Sequence, residues 1–140
     1  MIKRIALVFG VIFVVVGILG FVPGVTAFEP NTEHGRLFGA FAVDTMHNAV
    51  HILTGVAAIA VGLISESTSR AYFKVFGVVY GLVALAGFYY GKAALLGVMA
   101  NNLPDAALHT VIATVALFLG FGHLLDRFEH HGDEGTHHPA

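Results

Sequence analysis

Residues 8–21 read VFGVIFVVVGILGF, and residues 75–88 read VFGVVYGLVALAGF. Seven of the fourteen positions are identical at an offset of 67. Each stretch lies inside a longer uncharged run, Ile5–Val22 and Val75–Gly91. A bilayer core about 30 Å thick needs roughly 20 mostly apolar residues in helical form, because every backbone N–H and C=O must be bonded within the segment. Both runs approach that length. Two more stretches do the same. Met46–Ile64 is apolar apart from His47, Asn48 and His51 near its start, and Ala106–Leu125 has only His109 and His123 as titratable groups.

The composition agrees with four membrane spans. Only 11% of the 140 residues are charged, against about 25% in an ordinary soluble domain. Sixteen charges, 7 basic and 9 acidic, are too few to cover a water-facing surface of this size. Sparse charge and a net charge of −2 also argue against a disordered chain and against a nucleic-acid binder. Cysteine is absent, which excludes disulfides, thiolate metal sites and cysteine nucleophiles. Nine histidines are the anomaly in the composition.

The repeat extends beyond the first and third spans. The second and fourth align at an offset of 58, which places His51 on His109, Ala58 on Ala116, Gly62 on Gly120, His47 on Asp105 and Asp44 on Asn102. The sequence therefore predicts an all-α integral membrane protein, a four-transmembrane-helix bundle built from two parallel two-helix repeats. The expected spans are about 5–22, 46–64, 72–91 and 106–125, within one membrane domain over residues 1–128. Residues 129–140, with four histidines and three acids, read as a disordered His-rich cytoplasmic tail. Lys3, Arg4 and the apolar run ending at Val25-Thr26-Ala27 also resemble a cleavable secretory leader. The internal duplication favours retention, since a discarded leader has no reason to copy a later span.

Five basic residues (Lys3, Arg4, Arg70, Lys74 and Arg127) flank one side of the predicted bundle, and two (Arg36 and Lys92) flank the other. The positive-inside rule then puts both termini in the cytoplasm and the first and third loops outside. Within the first loop, Leu37–Val43 is apolar enough to lie on the membrane surface or to extend the second helix. Tyr72, Tyr89 and Tyr90 read as interfacial anchors. Gly77, Gly81, Ala84, Gly87 and Gly91 form a small-residue stripe on the third span. Such a face serves either packing within the chain or homo-oligomerisation.

The chemistry-bearing residues gather where the second and fourth spans begin. His47 and His51 are four apart and share a helix face, as do Asp105 and His109. Pro104 suits the first turn of a helix. Three imidazoles and a carboxylate form a ligand set for a divalent transition metal, zinc or copper, with Asp44, Asn48 and Asn101 placed to orient the ligands. Haem held between His51 and His109 is a second reading. A third is an interhelical hydrogen-bond network that holds no ligand. No glycine-rich phosphate loop, nucleophile with a base or paired carboxylates are visible, so no catalytic residue is assigned and no enzyme is expected.

At Val8–Pro23, at Val43–Gly55 (VDTMHNAVHILTG) and at Leu103–His109 (LPDAALH), the chain resembles a family of small bacterial multi-pass membrane proteins catalogued as a domain of unknown function. The His-Asn-x-x-His string is the most specific part of that resemblance. It implies a bacterial source, a plasma-membrane location and a four-span fold, with His47, Asn48, His51, Asp105 and His109 at the family's polar positions. It implies no activity. Function thus rests on the polar cluster, either as a metal site or as glue in a non-catalytic membrane scaffold. A haem bundle or a subunit of a dimeric transporter follows behind; the expected partners are the lipid bilayer and, through the Gly-rich helix faces, a second copy of the chain, with no nucleic acid.

Overall fold

The computed structural model describes residues 1–122. Its elements are α1 (Ile2–Leu19), β1 (Thr26–Phe28), β2 (Gly35–Leu37), β3 (Phe41–Val43), α2 (Thr45–Ile64), α3 (Glu66–Tyr90) and α4 (Leu103–Phe121). All four helices are long and apolar enough to cross a membrane. His123 and the tail at 129–140 lie outside the described residues.

Local chemistry fixes where the helices start. Asp44 caps α2, its side chain accepting from the His47 N–H. Ser65 caps α3 in a capping box with Thr68, and Asn102 caps α4 in a capping box with Asp105, with Pro104 in the first turn. These side chains bond N–H groups that a helix start leaves without partners. The third span begins at Glu66 rather than near residue 72, because Ser65 ends α2 and starts α3 with no loop between them.

Helices pair within each repeat, α1 on α2 and α3 on α4. Glycine allows the close approach. A Cβ built on Gly10 would lie 2.6 Å from the Gly55 carbonyl oxygen, and one built on Gly55 would lie 2.6 Å from the Gly10 carbonyl oxygen. In membranes, where burial of apolar side chains gives little drive, such backbone contact is what holds helices together. The repeat is visible in these contacts. Gly62 faces Leu7, and its counterpart Gly120 faces Lys74, the counterpart of Leu7 at the offset of 67.

The two repeats meet through aromatic rings. Phe9 and Phe13 of α1 pack on Phe76 and Tyr80 of α3, which occupy the same positions one repeat later. Ring centroids are 5.0 Å apart for Phe9–Phe76 and 5.8 Å for Phe13–Tyr80, both edge-on. Tyr72 joins this core instead of anchoring an interface. Its ring stacks on Phe76 with centroids 5.5 Å apart, and its hydroxyl donates to the Thr54 carbonyl at 3.0 Å. Tyr89, at the end of α3, stays 86% exposed, which suits an anchor. The small-residue stripe is largely occupied within the chain: Gly77 meets Leu117, and Gly87 meets Asn101 and Ala106.

The first connection folds differently from expectation. Leu37–Val43 neither lies flat nor extends α2. It supplies part of a three-stranded antiparallel sheet in the order β1-β2-β3, with Leu37 opposite Phe41 and Gly35 opposite Val43. Phe38 and Gly39 turn the chain with φ of 53° and 73°. Leu37 and Val43 are buried, so the apolar character read from the sequence serves to seat the sheet on the helix ends.

Candidate functional site

His47 and His51 stand one turn apart near the start of α2, and His109 stands in the second turn of α4. All three are buried, at 4%, 8% and 5% exposure. One ring nitrogen from each falls within 4.8 Å of the others. The cluster lies under the sheet, at the end of the bundle where α2 and α4 begin.

Each ring is held. His47 donates from Nδ1 to the Ala100 carbonyl at 3.1 Å, which leaves its Nε2 facing the Nε2 of His51 at 3.2 Å. Two nitrogens on one tetrahedral metal, each about 2.0–2.1 Å from it, are separated by about 3.3 Å. Phe13 stacks on the His51 ring at 5.0 Å, and Tyr80 presents an edge contact to His109 at 5.3 Å. Phe13 with His51 and Tyr80 with His109 are the same pair in the two repeats. His109 Nδ1 is buried and has no hydrogen-bond partner among the described residues. Buried polar atoms are almost always bonded, so this one requires an explanation.

The other predicted residues surround the three imidazoles. Asp105 Oδ2 accepts from the N–H groups of Ala42 at 3.0 Å and Asn102 at 3.1 Å, tying the sheet to the start of α4. Asp105 also lines, with the three histidines, a cavity of about 110 Å³ beneath the sheet. Asp44 accepts from the His47 N–H at 2.8 Å and the Ala100 N–H at 2.6 Å. It therefore fixes both the His47 backbone and the residue that the His47 ring bonds. Asn101 donates to the carbonyls of Gly87 at 3.1 Å and Gly91 at 2.9 Å, closing the end of α3. Asn48 packs its amide against Gly20, the C-cap of α1. Phe13, Tyr80 and Ala100 were not singled out by sequence reasoning. The first two sit at matching positions of the repeated stretch, which was the available signal; Ala100 acts through its backbone and leaves none.

The haem reading uses His51 and His109, whose ring centroids lie 6.1 Å apart. The metal reading uses in addition His47, whose Nε2 lies 3.2 Å from that of His51. The glue reading fits Asp44, Asn102, Asp105 and the His47 ring, each of which bonds across the two repeats. The hydrogen bond inside the cluster joins two residues of α2, and among the described residues none links an imidazole of α2 to His109.

The family described as a domain of unknown function (DUF4383) matches residues 3–122. The chain belongs to the DUF4383 family. No curated protein and no solved structure matches it. The DUF4383 region includes both repeats, the sheet and every residue of the cluster.

Proposed function

We propose that this DUF4383 protein is a bacterial plasma-membrane protein that holds a divalent transition metal, zinc or copper, at His47, His51 and His109. The observation that carries the reading is the convergence of three buried imidazoles from both repeats, one of them with an unpartnered ring nitrogen. Neutral imidazole suits both metals, and burial behind Phe13 and Tyr80 limits ligand motion. Asp44 and Ala100 orient His47, in the way outer partners usually hold a ligating histidine. Asp105 is assigned to holding the sheet and the α4 start in place, beside the metal. In this reading both termini are cytoplasmic and the sheet covers the site on the outer side.

The test is metal analysis of the purified full-length chain with His130, His131, His137 and His138 replaced by Ala and no histidine tag. One metal per chain that survives dialysis is expected. It should be lost in His47→Ala, His51→Ala and His109→Ala alike. A chain that carries no metal, and for which these substitutions lower only thermal stability, would leave the cluster as packing in a membrane scaffold.

A further inference from the structure

A cavity of about 720 Å³ runs between α2 and α3 and ends on the histidine cluster. That is within the size of sites for small organic ligands, which fall at about 300–1,000 Å³. Along α2 its lining extends from Val61 to His47, fourteen residues or roughly 21 Å at 1.5 Å per residue. No Asp, Glu, Lys or Arg lines it. Aliphatic side chains such as Val61, Leu53, Val79 and Val83 run the whole length of the wall, the rings of Tyr72, Phe76 and Tyr80 are set among them, and the imidazoles close one end. Leu53, Val75 and Val79 are well exposed on its flanks, so in a bilayer the groove is reached sideways from the lipid.

We infer that this groove binds a membrane quinone or quinol, with the isoprenoid chain along α2 and α3 and the ring head at the three histidines. The inference rests on the metal reading. A metal held by His47, His51 and His109 would have three protein ligands, and a carbonyl or hydroxyl oxygen of the head would supply a fourth donor. Charge agrees with this choice. A groove without cations offers nothing to a phosphate or carboxylate headgroup, whereas a neutral head incurs no such desolvation cost. The rings at the cluster end give the head flat partners. A branched chain matches the aliphatic side chains that run along the wall.

The chain has no tryptophan, so tyrosine emission is readable, and two of its four tyrosines, Tyr72 and Tyr80, line the groove. Full-length protein in lipid vesicles is titrated with decylubiquinone, with metal content measured on the same samples. Saturable quenching at about one quinone per chain is expected. Ala57 is exposed in the groove wall, so Ala57→Phe fills the groove without entering the core. It should weaken binding at least tenfold with metal content unchanged. His109→Ala should lose both metal and quinone. Metal-loaded protein whose quenching is linear, or is equal in wild type and Ala57→Phe, overturns the inference and leaves the metal site standing. Competition by decanol or decanoate as strong as by the quinone also overturns it, since the groove would then read only the chain. Protein without metal overturns the reading beneath it as well, and the metal assay identifies that case.

Discussion

Asp44 and Asn102 hold equivalent places in the two repeats, and each reaches into the other. Asp44 accepts from the Ala100 N–H at 2.6 Å, while Asn102 donates to the Ala40 carbonyl at 2.8 Å. Ala100 and Ala40 lie in the segments that lead into α4 and α2, so each helix cap also fastens the opposite connection. His47 and Asp105 repeat the exchange one turn deeper, on Ala100 and Ala42.

These crossed straps predict an effect larger than that of an ordinary cap. Asp44→Ala removes an N-cap and orphans the Ala100 N–H, together about 2–4 kcal/mol. Thermal unfolding in detergent should show a clear loss of midpoint in Asp44→Ala and in Asn102→Ala. A double variant that loses no more than the worse single one would indicate that the two straps act as one unit.

Gly10→Leu tests the helix crossing inside the first repeat. A side chain there meets backbone, which cannot rotate away, so α1 must move off α2. Overpacking of this kind costs about 1–3 kcal/mol or more. Gly81→Leu is the control, because a Cβ at Gly81 finds its nearest neighbour only at 4.0 Å. Equal unfolding midpoints for the two variants would contradict the packing described.

Acid should release the metal. Imidazole binds metal only when neutral, so protons compete for the same nitrogens and occupancy falls as pH is lowered. Asp105→Asn separates ligand from strap: it should lower the unfolding midpoint, through weaker bonds to Ala42 and Asn102, and leave metal content near one per chain. Loss of metal in that variant would place the carboxylate among the ligands.

Orientation is open to labelling, since cysteine is absent. Thr32 lies between β1 and β2 and Ser67 at the start of α3, at opposite ends of the bundle, and both are exposed. An impermeant thiol reagent on intact cells should modify Thr32→Cys and spare Ser67→Cys. The opposite pattern would invert the proposed topology.

Retention of α1 has its own check. Intact mass of the purified protein should include the residues before Ala27. A product starting at Phe28 would lack the partner that Gly55 packs against, and the paired-hairpin arrangement could not persist in it.

Much of this architecture was legible because two physical signals are strong in the sequence. An uncharged run near 20 residues has few alternatives to a span, and the copied stretch at residues 8–21 and 75–88 made the pairing of helices a matter of symmetry. His47, His51 and His109 were legible for the same reason, as polar residues on matched faces. The sheet was not. Its strands are three residues each, too short for alternation to show, and Phe38 gives no turn signal although it adopts a positive φ. The role of Tyr72 was misread because position near a span end suggested an interface, while the actual start of α3 at Glu66 carries that residue inward. Which ring nitrogens stay free depends on Ala100, whose contribution is a backbone carbonyl and therefore invisible in any residue pattern.

Ser65 closes α2 and opens α3 through its own backbone and side chain, with Thr68 returning a bond to its N–H at 3.2 Å. A single residue that serves two helix ends removes the independence those ends would have across a loop. Fraying of the last turn of α2 must loosen the first turn of α3 at the same moment. Amide protons on both sides of Ser65 should therefore exchange as one cooperative group, and α2 and α3 behave mechanically as a continuous rod bent once, with no slack at the bend.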